Sequence, residues 1–564
     1  MANENGATVI VGNSTSAGSP NAVSPDQDNS NIRRDDFPDY FVFGSGTSAF
    51  QVEGAAAVDG KAPSVWDDFT LRTPARILDG SNGNVASDMY HRYKEDIRAM
   101  KRMGFDVYRF SISWPRILPG GRCSAGINRL GIDYYNDLIN TIIAHGMKPF
   151  VTLFHWDLPD ILEKEYNGFL SRKILDDFCE YAELCFWEFG DRVKFWTTIN
   201  EPWTVAVNGY VRGTFPPSKP SCPQHRVLKK IPPYRSVQRE SATIPITRQY
   251  SDIKYDKSDP AKDPYTVGRN LLLAHAAAVH LYRRKFRGHQ GGKIGIVLNS
   301  HWFVPKDPNS EEDRAAARRA IDFMLGWFLD PVLYGRYPQN MTDFVPPENL
   351  AQFSHYESQL LKGSTDYIGF NFYTAFFAEH DPNPEGVGYD ADQRLEYSFD
   401  RDGVPIGAPT GSTWLHVCPW AIYDHLVYLK ETYEDAPPIY ITENGMSDMN
   451  DPKMTAKQAC RDSTRVKYHQ DHLANILKAM NDEKVDVRGY VVWTWCDNFE
   501  WAEGYMSRFG ITYIDFVNHQ TRYPKDSAMW FCKFLQNEKR QIQSSNKRQI
   551  KDNSENVSGK RLKA

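Results

Sequence analysis

No stretch of this chain is apolar for long enough to cross a bilayer, although it runs to 564 residues. A mean hydropathy of −0.55 agrees, so no membrane is expected as a partner. An excess of one sign of charge is missing as well. A formal net charge of −5 gives no general pull on polyanions, which sets nucleic acid aside as a substrate and favours a neutral or weakly charged small molecule. The eight cysteines (Cys123, Cys179, Cys185, Cys222, Cys418, Cys460, Cys496 and Cys532) form no CxxC or Cys/His zinc spacing. Buried free thiols are expected of them rather than a disulfide framework, and no metal is expected. The N-terminus lacks the basic start and apolar segment of a secretory leader, so the protein is expected not to be secreted. The acceptor-like triplets at Asn13, Asn340 and Asn556 are then expected to stay unglycosylated.

A Pro/Ser/Gly linker is also missing between about Asp36 and Cys532, which argues for one domain over residues 36–538. Residues 1–35, rich in Asn, Ser, Gly and Asp, are expected to form a disordered arm. Within the domain, short apolar runs alternate with longer helical periodicity. The runs are Phe41 to Gly46, Val107 to Trp114, Pro149 to Trp156, Val193 to Asn200, Lys293 to Ser300, Tyr367 to Tyr373, Pro438 to Glu443 and Arg488 to Trp495. Strands that are covered on both faces read in this way. An open doubly wound sheet would alternate similarly. The placement of polar residues decides for an α/β fold built as a single (β/α)8 TIM barrel with long βα loops. His155, Trp156, Asn200, Glu201, Asn371, Tyr373 and Glu443 all fall at or just past the C-terminal ends of predicted strands, where barrel active sites assemble. Residues 218–263, with ten Lys/Arg against five Asp/Glu and many prolines, are expected to be a long mobile loop over that face. Residues 539–564, with eight Lys/Arg against two Asp/Glu, are expected to be a disordered basic tail.

Two carboxylates carry the chemistry. Glu201 stands in Thr198-Ile199-Asn200-Glu201-Pro202, and Glu443 in Ile441-Thr442-Glu443-Asn444-Gly445. Either one alone could be a buried residue paired with an arginine. On predicted strands four and seven they can face each other across a barrel mouth, as glycoside hydrolysis requires: one protonates the leaving oxygen while the other attacks the anomeric carbon. That pair needs no cofactor.

These stretches resemble the acid/base and nucleophile signatures of family 1 glycoside hydrolases, and the resemblance covers roughly Asp36 to Phe534. Ser45 to Gly54, Tyr108 to Trp114, Phe154 to Asp157, Asn371 to Thr374 and Asp497 to Trp501 are similar to further landmarks of the family and come in its order. The resemblance implies a retaining β-D-glucosidase with Glu201 as acid/base and Glu443 as nucleophile. By it, Gln51, His155, Trp156, Asn200, Glu500 and Trp501 meet the sugar, Trp493 offers a stacking face, and Arg109, Asn371 and Tyr373 support the carboxylates. A glutamate at 201 separates the chain from plant thioglucosidases, which carry glutamine there. Glu500 followed by Trp501 separates it from phospho-β-glycosidases. Asn167 stands where the family usually has glycine, and Phe372 where tyrosine is frequent.

Within the family the chain is most similar to plant alkaloid glucosidases. Trp414 matches an aglycone-lining tryptophan of enzymes acting on strictosidine, while Trp203 resembles the raucaffricine-hydrolysing branch. Strictosidine is the expected substrate; raucaffricine, ipecac-type, phenolic and other terpenoid glucosides are the alternatives. A catalytically silent sugar-binding scaffold is a third class, against which the retention of both glutamates speaks. A homo-oligomer is compatible with the sequence. Lys560, Arg561, Leu562 and Lys563 read as a nuclear signal for an import receptor or as a solvated charge run, and the expected location is the nucleus, with the cytoplasm as alternative.

Overall fold

The computed structural model describes residue 29 and residues 31–219 and 258–536. Eight parallel strands close into a barrel: β1 (Val42–Gly46), β2 (Val107–Ser111), β3 (Lys148–Phe154), β4 (Phe195–Asn200), β5 (Lys293–Asn299), β6 (Ile368–Asn371), β7 (Ile439–Asn444) and β8 (Val487–Trp493). Each strand pairs with its sequence neighbours, and β8 returns to β1 through the register Val42↔Gly489 to Gly46↔Trp493. All eight predicted runs are strands. Several end earlier than expected, because the residues at the mouth leave the hydrogen-bonded ladder. The run from Val107 stops at Ser111, and Trp114-Pro115 opens a short helix instead.

Eight principal helices cover the barrel: α1 (Met89–Met103), α2 (Arg129–Ala144), α3 (Ile174–Phe189), α4 (Asp263–Lys285), α5 (Trp327–Tyr334), α6 (Trp420–Thr432), α7 (Ser463–Asp482) and α8 (Asp526–Leu535). In α3 the buried Ile174, Phe178, Tyr181, Cys185 and Phe189 recur every three or four residues, so one stripe faces the strands. Helix α1 ends at Gly104, whose φ of +101° closes the turn; a Cβ there would lie 2.9 Å from Leu535 Cβ, so this glycine also lets α8 dock. Helix α5 continues from Glu311–Ile321 through a π-turn at Asp322–Gly326.

Inside the barrel, Val107, Phe150, Tyr367 and Tyr440 pack at the N-terminal ends of the strands. Phe150 and Tyr367 meet edge to face at 5.5 Å, as do Tyr367 and Tyr440. This aromatic floor closes the barrel below the site.

One expectation needs correction. Residues 31–35, assigned to the arm, are folded: Arg34 is buried and donates to the carbonyls of Phe37 and Phe41, which ties the chain entry to the barrel. The rest of the arm apart from Asn29, most of the 218–263 loop and the basic tail lie outside the described residues. Beyond the eight strands, Trp302–Pro305, Ala375–His380 and Leu395–Ser398 form a three-stranded sheet above the barrel. Among the described residues no helix is long and apolar enough to cross a membrane.

Candidate active site

Glu201 is presented by a local conflict. Strand β4 ends at Asn200, and Pro202 opens the next helix while disfavouring right-handed helical backbone at the residue before it. Glu201 sits between them at φ +47° and lines the cavity at the barrel mouth. Trp156 (φ +73°) and Trp501 (φ +51°) share this left-handed conformation at the same mouth. Each costs on the order of 1–3 kcal/mol, strain that persists only where surrounding packing enforces it. On β7 a register shift between Ile441 and Glu443 re-aims Glu443. Gly445 is required two residues later, because a Cβ there would run into the Trp493 carbonyl oxygen.

The two carboxylates have different partners. Arg109 on β2 donates from Nη1 to Glu443 Oε1 at 2.7 Å, and Tyr373 Oη donates to Glu443 Oε2 at 2.7 Å. Glu201 accepts only neutral donors, Asn371 Nδ2 at Oε1 and Thr204 Oγ1 at Oε2, each at 2.7 Å. Arg109 Nη2 also donates to Asn200 Oδ1 at 2.7 Å, and Thr442 Oγ1 donates to Asn371 Oδ1 at 2.7 Å, so both carboxylates rest on one network spanning β2, β4, β6 and β7.

Burial, then the charge of Glu443, push Glu201 up to about 8. A protonated carboxyl at neutral pH follows. Burial raises Glu443 too, but Arg109 and Tyr373 oppose it, so the negative charge of the pair belongs on Glu443. Burial and the neighbouring Arg109 hold His155 well below the usual imidazole range and therefore neutral. Burial, with Glu503 and Glu443 nearby, raises Glu500 well above the carboxylate range. Two buried carboxyls, one proton donor and one anion, can together protonate a leaving group and attack the carbon that it leaves.

Glu201 and Glu443 open on a cavity of about 640 Å³. Its inner end carries His155, Trp156, Asn371, Tyr373, Trp493, Glu500 and Trp501, with Trp414 farther out. His155 stacks at 5.8 Å on Trp493, and its buried Nδ1 has no hydrogen-bond partner among the described residues, which leaves it free for a ligand hydroxyl. Gln51, Asn200 and Arg109 are fully buried immediately behind this wall. Gln51 Nε2 donates to Glu500 Oε2 at 3.3 Å, so it supports Glu500. Of the residues expected at the site, Gln51, Asn200 and Arg109 thus stand behind the cavity wall and the others line it.

Other wall residues carried no signal in the sequence. Phe303, Phe376, Tyr397 and Phe399 come from the three-stranded sheet and its flanks; Met324 comes from the π-turn, Phe215 from the segment after β4, and Phe509 from the segment after β8. They are apolar residues on short connections, without a chemically diagnostic type or spacing. Trp203 and Trp414 line the same cavity. Trp203 Nε1 donates to Tyr389 Oη at 2.6 Å, and Trp414 lies edge-on to Tyr373 at 5.5 Å. Asn167 adopts φ +62°, a conformation asparagine tolerates better than most residues, which explains how it replaces glycine there.

A family model described as glycosyl hydrolase family 1 matches residues 33–540. Raucaffricine-O-β-D-glucosidase of Rauvolfia serpentina is 48% identical over 546 residues, covering 96% of this chain and 99% of that protein. Ipecoside β-D-glucosidase of Carapichea ipecacuanha is 47% identical over 504 residues, 89% of this chain and 91% of the relative. Among solved structures, a rice β-glucosidase variant in covalent complex with glucose aligns at a TM-score of 0.82 and 42% identity, over 90% of this chain and all of the other.

Proposed function

The chain belongs to glycosyl hydrolase family 1 and is a retaining β-glucosidase; from that premise we propose that Glu443 is the nucleophile, Glu201 the acid/base, and a strictosidine-type indole alkaloid glucoside the physiological substrate. Glucose occupies the inner cavity in this reading. Its hydroxyls meet His155, Asn200, Gln51, Glu500 and Trp501, and its apolar face lies on Trp493. Glu443 attacks the anomeric carbon as Glu201 gives its proton to the glycosidic oxygen, and the carbon–oxygen bond to the aglycone breaks. Glu443 is then a neutral ester. The charge that helped to hold the proton on Glu201 is gone, so Glu201 becomes the base that takes a proton from water, and that water releases glucose with its configuration retained.

One observation carries the choice of aglycone: the outer cavity is walled by rings, among them Trp203, Phe303, Phe376, Phe399, Trp414 and Phe509. A large flat aglycone fills such a wall better than a small phenol. Relatives whose names carry raucaffricine and ipecac alkaloids lend support and make raucaffricine the second reading. The test is kcat/KM on strictosidine beside raucaffricine, salicin and p-nitrophenyl β-D-glucoside. A preference for strictosidine of about tenfold or more over salicin is expected from the difference in buried apolar area. A tenfold preference for salicin removes the alkaloid reading and leaves the glucosidase intact.

Nuclear residence through Lys560, Arg561 and Lys563 is part of the same proposal. A fluorescent fusion with these three changed to alanine should lose nuclear enrichment; an unchanged distribution refutes the signal.

A further inference from the structure

Double displacement gives Glu503, on the cavity wall beside Glu500, no task. Glu503 closes the short turn Trp501–Glu503 and is partly open to the cavity between Glu500 and Trp414. Ser412 Oγ donates to its Oε2 at 2.6 Å, and Ser507 and the Trp414 indole complete its partners. None of them is a cation. Three other buried carboxylates each have a cation: Glu53 has Arg116 at 2.9 Å, Asp497 has Lys525 at 2.9 Å and Arg508 at 2.6 Å, and Glu443 has Arg109 at 2.7 Å. Burial raises the Glu503 carboxyl and no cation opposes it, so a bound cation is what would stabilise its ionised form.

The surroundings favour such a cation. Glu443 and Glu500 line the same cavity, as do Glu385 and Asp390, and among the described residues the one arginine on its wall, Arg212, lies over the Trp203 ring at 5.3 Å. Trp414 stacks with Phe509 beside Glu503 and offers an aromatic face to whatever approaches the carboxylate. We infer that Glu503 is a specificity-determining residue that binds a protonated amine of the aglycone, with the Trp414 indole flanking it. A neutral aglycone of equal size gains the apolar contacts but not this one.

The inference rests on the alkaloid reading above, and the experiment separates the two. Three substrates are compared: an indole alkaloid glucoside with a free secondary amine, the same glucoside N-acetylated, and p-nitrophenyl β-D-glucoside. The wild-type protein should prefer the amine over the N-acetyl form by about tenfold or more in kcat/KM, the scale of a charge-assisted hydrogen bond in a dry site. Glu503→Gln keeps an oxygen for the Trp414 indole and Ser412 but removes the charge, so that preference should collapse toward unity, and Glu503→Asp should restore part of it. Equal rates on the two alkaloid forms in the wild type, or a preference that survives Glu503→Gln, overturn the inference and leave the alkaloid reading standing. Turnover of p-nitrophenyl glucoside with neither alkaloid form accepted overturns both. Because the wild-type comparison is decisive by itself, a variant that fails to fold does not rescue the idea.

Discussion

The two ends of the cavity are built on different principles. At the inner end, polar side chains stand on β2, β4, β6 and β7 and fix one another: Arg109 touches both Glu443 and Asn200, and Asn371 touches both Asn200 and Glu201. At the outer end, rings from the three-stranded sheet and the βα connections meet mostly through non-directional contacts, such as Phe376 with Phe399 at 4.3 Å and Phe303 with Tyr397 at 5.2 Å. A network of directional bonds tolerates no substitution without leaving a buried polar group unmatched. A wall of rings can change shape one residue at a time. Chemistry is thus held constant by the barrel while the choice of aglycone stays adjustable above it.

Breaking the inner end should cost most. Glu443→Ala removes the nucleophile and should lower kcat/KM on every glucoside by about 10⁴-fold or more; azide should restore turnover and give an inverted glucosyl azide. Lack of rescue in a correctly folded variant would argue against the assigned role. Glu201→Gln should lose about 10²- to 10⁴-fold on glucosides with poor leaving groups, yet still show a glycosylation burst on 2,4-dinitrophenyl β-D-glucoside, whose leaving group needs no proton. At the outer end Trp414→Ala should cost about 10- to 100-fold on an alkaloid glucoside, the 1.5–3 kcal/mol that burying a large side chain is worth, and much less on p-nitrophenyl glucoside. Equal losses on both substrates would erase the distinction between the two ends. The mildest probe is pH. Glu201 acts as an acid only while protonated and its proton is held up to about 8, so kcat/KM should fall as pH rises through that value. Glu201→Gln should abolish that limb.

Legibility in the sequence follows the same division. The eight barrel strands could be read because strands buried on both faces are nearly continuous apolar runs, and Glu201, Glu443 and Tyr373 because their chemistry is rare at strand ends, whereas Arg109, inside its strand, came only from the family resemblance. The sheet carrying Phe303, Phe376 and Tyr397 was not legible, since strands of four to six residues without clear alternation look like any other connection. Met324 reaches the wall through a π-turn that leaves no compositional mark. Gln51 was placed at the sugar, but sequence could not tell that it also braces Glu500. Arg34 was lost in the polar composition around it, because its partners are backbone carbonyls.

The aromatic floor of Phe150, Tyr367 and Tyr440 has a kinetic consequence. A barrel sealed at its base has one doorway, so the two halves of the substrate cannot depart by separate routes. The aglycone, nearer the entrance, leaves first, and glucose is last out. Glucose should therefore inhibit competitively against the glucoside. An alcohol that enters before water reacts should capture the glucosyl group and return as a new glucoside, so added acceptor alcohols should raise turnover while diverting product from free sugar to transfer product.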